Sequence, residues 1–357
     1  RSIGGRIMST NKQINYNLRK CISGEGHNKD IVLSSRIRLA RNFKEIPYPN
    51  NADKEDLLKV ENMVKKIITE TDDFDLHYLG MNNLPEVDKQ LLVEKNLTSP
   101  VHIQGGNGKG ILLNDQENIS IMVNEEDHLR VQVLLPGMQL EETWQKADEI
   151  DDILEEDFNF AFSEKWGYLS ACPTNLGTGL RASVMVHLPA LNMTNNINKM
   201  LGAISQLGLV VRGIYGEGSE SAGNIYQISN QITLGNTEED IIDNLKSVTT
   251  QIIEEEKNAR NRLLEEQETS VRDEVMRSYG ILKYAYKISS EEAMRLLSNV
   301  SLGIDMEIID DVDSGVLSEL LILIRPAHLQ KKEGEELNSN QRDVRRAQLI
   351  QEWLNID

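Results

Sequence analysis

A segment near the amino end alternates apolar side chains with arginines, and this pattern limits how the chain can fold. Residues 30–41 read Asp-Ile-Val-Leu-Ser-Ser-Arg-Ile-Arg-Leu-Ala-Arg, which predicts a strand. Because strand side chains alternate between two faces, Ser34, Arg36 and Arg38 share one face, and Ile37 lies with its apolar neighbours on the other. The two arginines repel each other, so we expect an anion over them. The alternative is an exposed edge strand protected by its charge.

A glycine-containing loop carries a cysteine at one end and an arginine at the other. Residues 172–181 read Cys-Pro-Thr-Asn-Leu-Gly-Thr-Gly-Leu-Arg, and a run with strand character follows at 182–188. Gly177 and Gly179 allow positive φ or a close approach of the backbone to a ligand. The Gly-Lys-Ser/Thr ending of a Walker loop is missing. The pattern fits either a binding loop or a tight turn with a buried thiol.

Three acids and a histidine stand between predicted strands at 119–124 and 131–135. The connection reads Asn-Glu-Glu-Asp-His-Leu-Arg at residues 124–130. It fits a solvated turn, or a metal site, although its spacing matches no common zinc motif. It also fits a site in which Glu126 is a base and Arg130 binds phosphate.

A second glycine-rich loop follows a predicted strand at 209–214 that carries Arg212. Residues 215–223 read Tyr-Gly-Glu-Gly-Ser-Glu-Ser-Ala-Gly, with Glu217 at the centre. A loop of this length is more often a lid or a binding loop than a plain connection. A strand is predicted at 224–234, with one face formed by Tyr226, Ile228, Asn230, Ile232 and Leu234.

The second part of the chain predicts helices only. Residues 237–240, Thr-Glu-Glu-Asp, form a capping box that starts a long helix reaching about residue 266. We therefore expect a vector-derived scar and an N-terminal tail at 1–29, a first domain at 30–266, and an all-helical C-terminal domain at 267–357.

Composition excludes several classes of protein. The 357 residues include 38 Lys and Arg against 57 Asp and Glu, and the net charge of −19 argues against binding of nucleic acid. No apolar run approaches the length of a transmembrane helix, and no signal-peptide core is present. Two cysteines, Cys21 and Cys172, suit a reducing compartment. We expect a cytoplasmic protein with no membrane or nucleic-acid partner.

Five arginines lie on the predicted strands or at loop edges. Guanidinium groups match phosphate oxygens in a bidentate manner, so a convergent set would hold a polyphosphate. Phosphoryl transfer requires this charge neutralisation together with in-line positioning. The sequence alone does not show that the five converge. They are Arg36, Arg38, Arg130, Arg181 and Arg212.

Four segments together resemble the signature set of the phosphagen (guanidino) kinase family. They are Ser-Ser-Arg-Ile-Arg at 34–38, the acidic motif at 124–130, the cysteine loop at 172–181 and Arg-Gly at 212–213, in the family's order. The resemblance implies an α+β fold, with an antiparallel β-sheet flanked by helices and followed by the helical C-terminal domain. It also implies ATP with Mg²⁺ as the donor and a guanidinium nitrogen as the acceptor.

The resemblance implies roles for individual residues. Glu126 would bind and deprotonate the acceptor guanidinium, and Cys172 would lie beside it. Because a carboxylate can both recognise a guanidinium fork and take its proton, Glu126 and Glu217 are candidates for the two walls of that slot. No metal ligand is expected on the protein itself. The nucleotide would be held by Ser34, Arg36, Arg38, Arg130, Arg181 and Arg212.

Two features are similar to the protein arginine kinase branch of this family. Only residues 1–33 precede the first motif, where creatine- and arginine-kinase-like enzymes carry a helical domain that closes over a small substrate. The segment Arg-Asp-Val-Arg-Arg-Ala at 342–347 resembles that branch's phosphoarginine-binding motif. An allosteric phosphoarginine site is thus implied at Arg342, Asp343, Arg346 and Ala347.

The expected function is therefore ATP-dependent phosphorylation of arginine side chains in proteins, which marks them for Clp-type degradation in a stress response. One alternative is a kinase of a free small guanidino compound, and the other is a catalytically idle phosphoarginine-binding adaptor. The intact Glu126 and arginine set disfavour the adaptor. The resemblance implies four kinds of partner: protein substrates bound through their arginine side chains, a zinc-binding activator protein, a Clp ATPase/protease, and a second copy of the chain in a homodimer.

Overall fold

A large antiparallel sheet forms the centre of the protein. The computed structural model describes residues 26–70, 74–213, 221–310, 312 and 316–354. Neighbouring strands of the eight-stranded sheet are all antiparallel, in the spatial order β2-β3-β4-β5-β1-β8-β10-β9. A separate short hairpin consists of β6 (Phe162–Ser163) and β7 (Gly167–Tyr168). The strands of the sheet are β1 (Val32–Arg41), β2 (Leu76–Gly80), β3 (Gly110–Asn114), β4 (Ile119–Val123), β5 (Leu129–Pro136), β8 (Leu180–His187), β9 (Leu209–Gly213) and β10 (Ile225–Asn230).

Helices flank this sheet and make up the C-terminal part. Those within the sheet-bearing part are α1 (Lys54–Glu70), α2 (Glu86–Glu94), α3 (Leu140–Asp157), α4 (Pro189–Met193) and α5 (Ile197–Gln206). The remaining helices are α6 (Glu238–Tyr284), α7 (Ser290–Asp305), α8 (Val316–Leu323), α9 (Pro326–Glu333) and α10 (Ser339–Trp353). The expected fold class, an antiparallel sheet with flanking helices and a helical C-terminal region, is confirmed.

The first strand of the chain lies in the middle of the sheet. β1 pairs with β5 on one side and with β8 on the other, so it is not the edge strand that its charge pattern also allowed. On one of its faces Ile37 and Leu39 are fully buried, in the same core as Ile150 and Leu154 of α3. This face is therefore covered by helix, as a central strand with an apolar side requires.

The strand predicted at 224–234 is shorter in the structure. β10 ends at Asn230, whose side-chain amide donates to the carbonyl oxygens of Leu180, at 3.0 Å, and of Ile232. The chain beyond this point leaves the sheet, so Ile232 and Leu234 are exposed rather than packed on its face. Alternation of apolar residues alone therefore overestimated the length of the strand.

The long helix begins where the capping box predicts. The Thr237 hydroxyl accepts from the Asp240 N–H, and the Asp240 carboxylate accepts in return from the Thr237 N–H. The helix continues to Tyr284, past the predicted end, with a break at Gln267, where φ is −138°. The proposed domain boundary near residue 266 coincides with this break and stays a prediction.

The C-terminal helices pack on both halves of the sheet-bearing part. α7 lies along α6, α10 contacts α6 and α9, and α9 packs against α2. Among the described residues, no helix is both long enough and apolar enough to cross a lipid bilayer.

Candidate active site

The register of the sheet places all five arginines on one face. Arg38 lies directly opposite Arg181 of β8, and Arg130 of β5 lies opposite Ala40. Residues directly opposite each other in an antiparallel pair project to the same face, as do residues two apart on a strand. Arg212 of β9 lies opposite Gln227 of β10, and Gln227 lies opposite Met185 of β8. Arg212 therefore projects to the same face as Arg181. Sequence periodicity could place only Arg36 and Arg38 together.

Mutual repulsion and burial are both severe at the centre of this face. Burial lowers the pKa of Arg38 well below its usual value, and the charges of Arg36, Arg130 and Arg181 lower it further. The pKa of Arg181 is lowered by burial and then by Arg212 and Arg130. An anion in contact with these groups would reverse this penalty.

On this face, two donors lack a hydrogen-bond acceptor among the residues that the structure describes. The Nε atoms of Arg38 and Arg181 are buried and have no hydrogen-bond partner within the described part of the chain. Arg36, by contrast, donates through Nη2 to the side-chain oxygen of Gln227 at 2.6 Å and through Nε to Ser183 at 3.3 Å. Buried polar groups are nearly always satisfied. The free donors therefore fit a phosphate-bearing ligand.

Ser34 and Arg212 lie at the margins of the arginine face. Ser34 is two residues from Arg36 on the same side of β1 and is buried. Arg212 is exposed, next to the end of β9. Glu217 falls within 214–220, outside the described residues, so its predicted part in the acceptor slot stays a prediction.

The acidic motif supplies two carboxylates at the edge of this face. Arg130 contacts Glu125 at 2.8 Å and Glu126 at 3.1 Å. The Glu126 side chain is 40% exposed and that of Glu125 only 8%. Burial alone would raise the pKa of Glu125, but Arg130 and a hydrogen bond from Ser99 hold it below its usual value. Of the two, Glu126 is the carboxylate accessible to an acceptor.

Asp127 and His128 have structural contacts instead. The Asp127 carboxylate accepts from the Asn42 amide at 2.7 Å, the Ser170 hydroxyl at 3.1 Å and the Ala171 N–H at 2.8 Å. The His128 Nδ1 atom accepts a hydrogen bond from the Phe43 N–H. Burial lowers the pKa of His128, and the ring is neutral. The hydrogen bonds of Asp127 thereby connect the acidic motif with Ser170 and Ala171, the residues just before Cys172.

The metal interpretation of this motif finds no support in the geometry. Within the described ranges, one group of three side chains is close enough to share a metal ion, and it lies at the β2–β3 edge of the sheet. That group consists of Asp75, His77 and Asp115.

The cysteine loop is a short 3₁₀ turn, Pro173–Asn175, with Cys172 as the residue before it. The thiol is half-buried and lies 3.0 Å from the Thr174 hydroxyl. Gly177, at φ 108°, has no room for a Cβ, which would come within 2.7 Å of the Thr233 carbonyl oxygen. The positive φ expected of this glycine is confirmed, and its close approach to a ligand stays a prediction.

A buried ion pair beneath the loop was not found from the sequence. Arg41 contacts Asp151 of α3 at 2.6 Å, donates to the Thr178 carbonyl oxygen at 3.0 Å and lies 3.5 Å from the centroid of the Tyr168 ring. Arg41 projects from β1 to the helix-covered side, because it is two residues from Leu39 on the same strand. The local sequence contains no signal for this pair, because Asp151 is one of many acids on α3.

The C-terminal motif lies on the first turns of α10. Arg346 is buried and donates to the carbonyl oxygens of Ile324 and Ile288 and, at 2.6 Å, to Asp343. Arg342 donates to the Leu337 carbonyl oxygen at 2.6 Å. Ala347 is also buried. Asp343 thus pairs with Arg346 within the motif, and binding of phosphoarginine here stays a prediction.

Comparison with known proteins adds a decisive observation to this geometry. The family model of the ATP:guanido phosphotransferase C-terminal catalytic domain matches residues 59–259, and that of the protein-arginine kinase McsB C-terminal domain matches 268–357. The chain belongs to the ATP:guanido phosphotransferase family. The first of these matches contains most of the sheet with Arg130, Arg181 and Arg212.

Relatives of full length exist within this phosphotransferase family. A protein-arginine kinase of Halothermothrix orenii is 66% identical over 349 residues, which are 98% of this chain and 100% of the relative. A protein-arginine kinase of Bacillus subtilis is 47% identical over 356 residues, 98% and 97% of the two chains.

Solved structures of other phosphotransferases share the fold. The duplicated taurocyamine kinase of Schistosoma mansoni, with bound transition-state analogue components, superposes with a TM-score of 0.61 at 27% identity. The match covers 73% of this chain and 39% of that one, so this chain corresponds to well under half of the duplicated enzyme. A lombricine kinase superposes with a TM-score of 0.59 at 23% identity, over 68% of this chain and 70% of that chain.

Proposed function

We propose that this protein transfers the γ-phosphoryl group of ATP to arginine side chains of other proteins. The observation that carries the proposal is the single sheet face of five arginines. At its centre, the Nε atoms of Arg38 and Arg181 have no partner among the described residues, and the accessible Glu126 carboxylate lies at its edge. The full-length relatives named protein-arginine kinase support the choice of acceptor.

Each group has a defined task in this reaction. The arginines bind the phosphates and neutralise the charge that develops during transfer. Glu126 accepts the fork of the target guanidinium and removes a proton as the N–P bond forms and the bond from the γ-phosphorus to the leaving oxygen of ADP breaks. Mg²⁺ bound together with the nucleotide would neutralise phosphate charge.

Cys172 and Glu217 complete the proposed acceptor slot. Cys172 precedes the short turn that leads into β8, the strand that carries Arg181, which supports a place beside the reacting groups. Direct attack by the guanidinium nitrogen requires no covalent cysteine intermediate.

One assay separates this function from its alternatives. The protein is incubated with ATP and an unfolded arginine-rich protein, with ATP and free arginine, or with ATP alone, and acid-labile phosphate bound to nitrogen is measured. We expect phosphoarginine on the protein acceptor. Efficient transfer to free arginine would instead indicate a small-molecule guanidino kinase, and no transfer to either acceptor would indicate an adaptor.

Regulation and assembly form a further part of the proposal. Phosphoarginine would bind at Arg342, Asp343, Arg346 and Ala347 and raise the kinase activity. The resemblance to the protein arginine kinase branch supports a zinc-binding activator, a Clp ATPase/protease and a second copy of the chain as partners. The small number of cysteines supports a cytoplasmic location.

A further inference from the structure

Large apolar side chains are exposed on both sides of the cysteine loop. Phe162 and Trp166 belong to the β6–β7 hairpin, and Ile232 and Leu234 follow the end of β10. Their exposed fractions lie between 40% and 59%. We call these four side chains the apolar rim. Isolated apolar side chains on a surface need no explanation, but a group around one loop of a candidate site does.

Hydrogen bonds attach both segments of the rim to the loop. On the hairpin side, the Tyr168 N–H donates to the Gly177 carbonyl oxygen at 2.7 Å, and the Gly177 N–H donates to the Tyr168 carbonyl oxygen at 3.3 Å. On the other side, the Thr233 hydroxyl lies 3.1 Å from the Thr174 carbonyl oxygen and 2.6 Å from that of Leu176. The rim is therefore continuous with the loop that carries Cys172.

The aromatic residues of the rim are held in place before any ligand binds. The Phe162 ring packs edge-on against the Tyr168 ring, with centroids 5.2 Å apart. Tyr168 is in turn fixed by the buried Arg41 guanidinium. Lys165 lies over the Trp166 ring, 4.6 Å from its centroid. Ordered aromatic side chains bind with a small loss of conformational entropy, which favours recognition.

We propose that the apolar rim binds the polypeptide on either side of the target arginine and favours apolar residues there. This inference rests on the proposed function, because an acceptor arginine beside Cys172 must leave its own backbone and neighbours over the surrounding surface. A free guanidino compound has no such neighbours. Apolar residues are mostly buried in folded proteins. The rim therefore selects arginines in unfolded or locally opened segments.

The test compares two short peptides, each with one central arginine, flanked in one by leucine and phenylalanine and in the other by serine and glycine. Wild-type protein should phosphorylate the apolar peptide with the lower KM and bind it more tightly by fluorescence anisotropy. Phe162→Ser/Trp166→Ser and Ile232→Ser/Leu234→Ser should each reduce the preference by about tenfold, as expected for loss of aromatic or aliphatic anchors. Their KM for ATP should not change.

Leu207→Ser is the matched control, because Leu207 is 52% exposed at the end of α5 and lies outside the rim. It should keep the full peptide preference. Equal binding of the two peptides to wild type, or an unchanged preference in both rim variants, would overturn the proposal. If a second copy of the chain covers the rim, the rim substitutions should lower the molar mass in solution without changing the peptide preference. This result would also overturn the proposal. Absence of phosphoarginine on both peptides would contradict the proposed function, while anisotropy would still decide the rim.

Discussion

The Glu94 carboxylate and the His328 imidazole meet at 2.9 Å in a buried contact between α2 and α9. The same carboxylate accepts from the backbone N–H groups of Ala327, at 2.8 Å, and of His328, at 3.0 Å. A side chain of the sheet-bearing part thus caps the first turn of a C-terminal helix, whose N–H groups have no partner within the helix. Burial lowers the pKa of His328, so the ring is neutral and donates through Nδ1.

The segment after Glu94 contacts the arginine face. Two residues after Glu94, the Asn96 carbonyl oxygen accepts from the Gln132 side chain at 2.9 Å. Gln132 is the β5 residue opposite Arg38. One short segment, residues 94–96, therefore contacts both α9 and the strand residue opposite Arg38.

Glu94→Gln should lower the free energy of unfolding by about 1–3 kcal/mol, because the new amide NH₂ group would face N–H donors and leave one of them unsatisfied. Urea unfolding measures this. Glu86→Gln, on an exposed residue of the same helix, should change stability by less than about 0.5 kcal/mol. Equal effects of the two substitutions would mean that the cap contributes little.

Glu126→Gln should reduce turnover by about 10²–10⁴-fold, because the amide keeps the shape but cannot take the proton. Binding of ATP should be largely retained. Single-turnover transfer to a protein acceptor and a separate nucleotide-binding titration measure the two effects. Near-native turnover in this variant would rule out Glu126 as the base.

Arg181→Ala should raise the KM for ATP about tenfold or more, since a charge-assisted contact to phosphate is lost. Arg181→Lys should rescue poorly, because an ammonium group cannot reproduce the guanidinium fork. Arg272→Ala removes an arginine that is 50% exposed on α6 and serves as the control. A wild-type KM in Arg181→Ala would exclude this residue from the phosphate site.

Arg342 and Arg346 of the C-terminal motif are best substituted one at a time, because Arg346 is a buried donor to backbone carbonyl oxygens. Arg346→Ala should destabilise the protein by about 1–3 kcal/mol, because the carbonyl oxygens of Ile324 and Ile288 lose a buried donor. Arg342→Ala should leave the fold intact and abolish binding of free phosphoarginine in a calorimetric titration. Arg345→Ala, which removes contacts with Glu333, Glu352 and Gln348, should bind normally. Unchanged binding in Arg342→Ala would contradict the allosteric site.

The buried cluster around Arg260 predicts an unusual dependence of stability on pH. Arg260 contacts Asp30 at 2.9 Å, Glu256 at 3.3 Å and Asp305 at 3.4 Å. Burial raises the pKa of Asp305 from 3.8 to about 7, although Arg260 opposes the change. Below about pH 3.8 the stability that this proton contributes is fully present, and it is lost as the pH rises through about 7.

Asp305→Asn carries no such proton, so the unfolding free energy of wild type relative to this variant should fall as the pH rises. The rise of the Asp305 pKa from 3.8 to about 7 sets an upper bound of ~4 kcal/mol on the change. Urea unfolding at about pH 5 and about pH 8 measures it. Asp273→Asn, at an exposed position of α6, provides the reference. A difference that does not vary with pH would show that Asp305 ionises normally.

Local patterns in the sequence were enough to identify the family and part of the strand geometry. The alternation of residues 30–41 correctly placed Arg36 and Arg38 on one face and Ile37 on the other, because the side-chain period of a strand follows from covalent geometry. The capping box at Thr237 located the start of α6 for the same reason: its hydrogen bonds join residues three apart. The motif set identified the phosphotransferase family before any geometry was known.

Only the tertiary structure decided which strands are neighbours and which polar groups are buried together. The pairing of β1 with β5 and β8 joins segments far apart in the chain, so the meeting of Arg38 with Arg181 could not be read from either segment. The Arg41–Asp151 pair and the Glu94 cap were missed for this reason. Ile232 and Leu234 continue a strand pattern, yet the ladder ends at Asn230. Strand pairing and burial depend on the packing of the whole core, and a local sequence pattern contains no record of that packing.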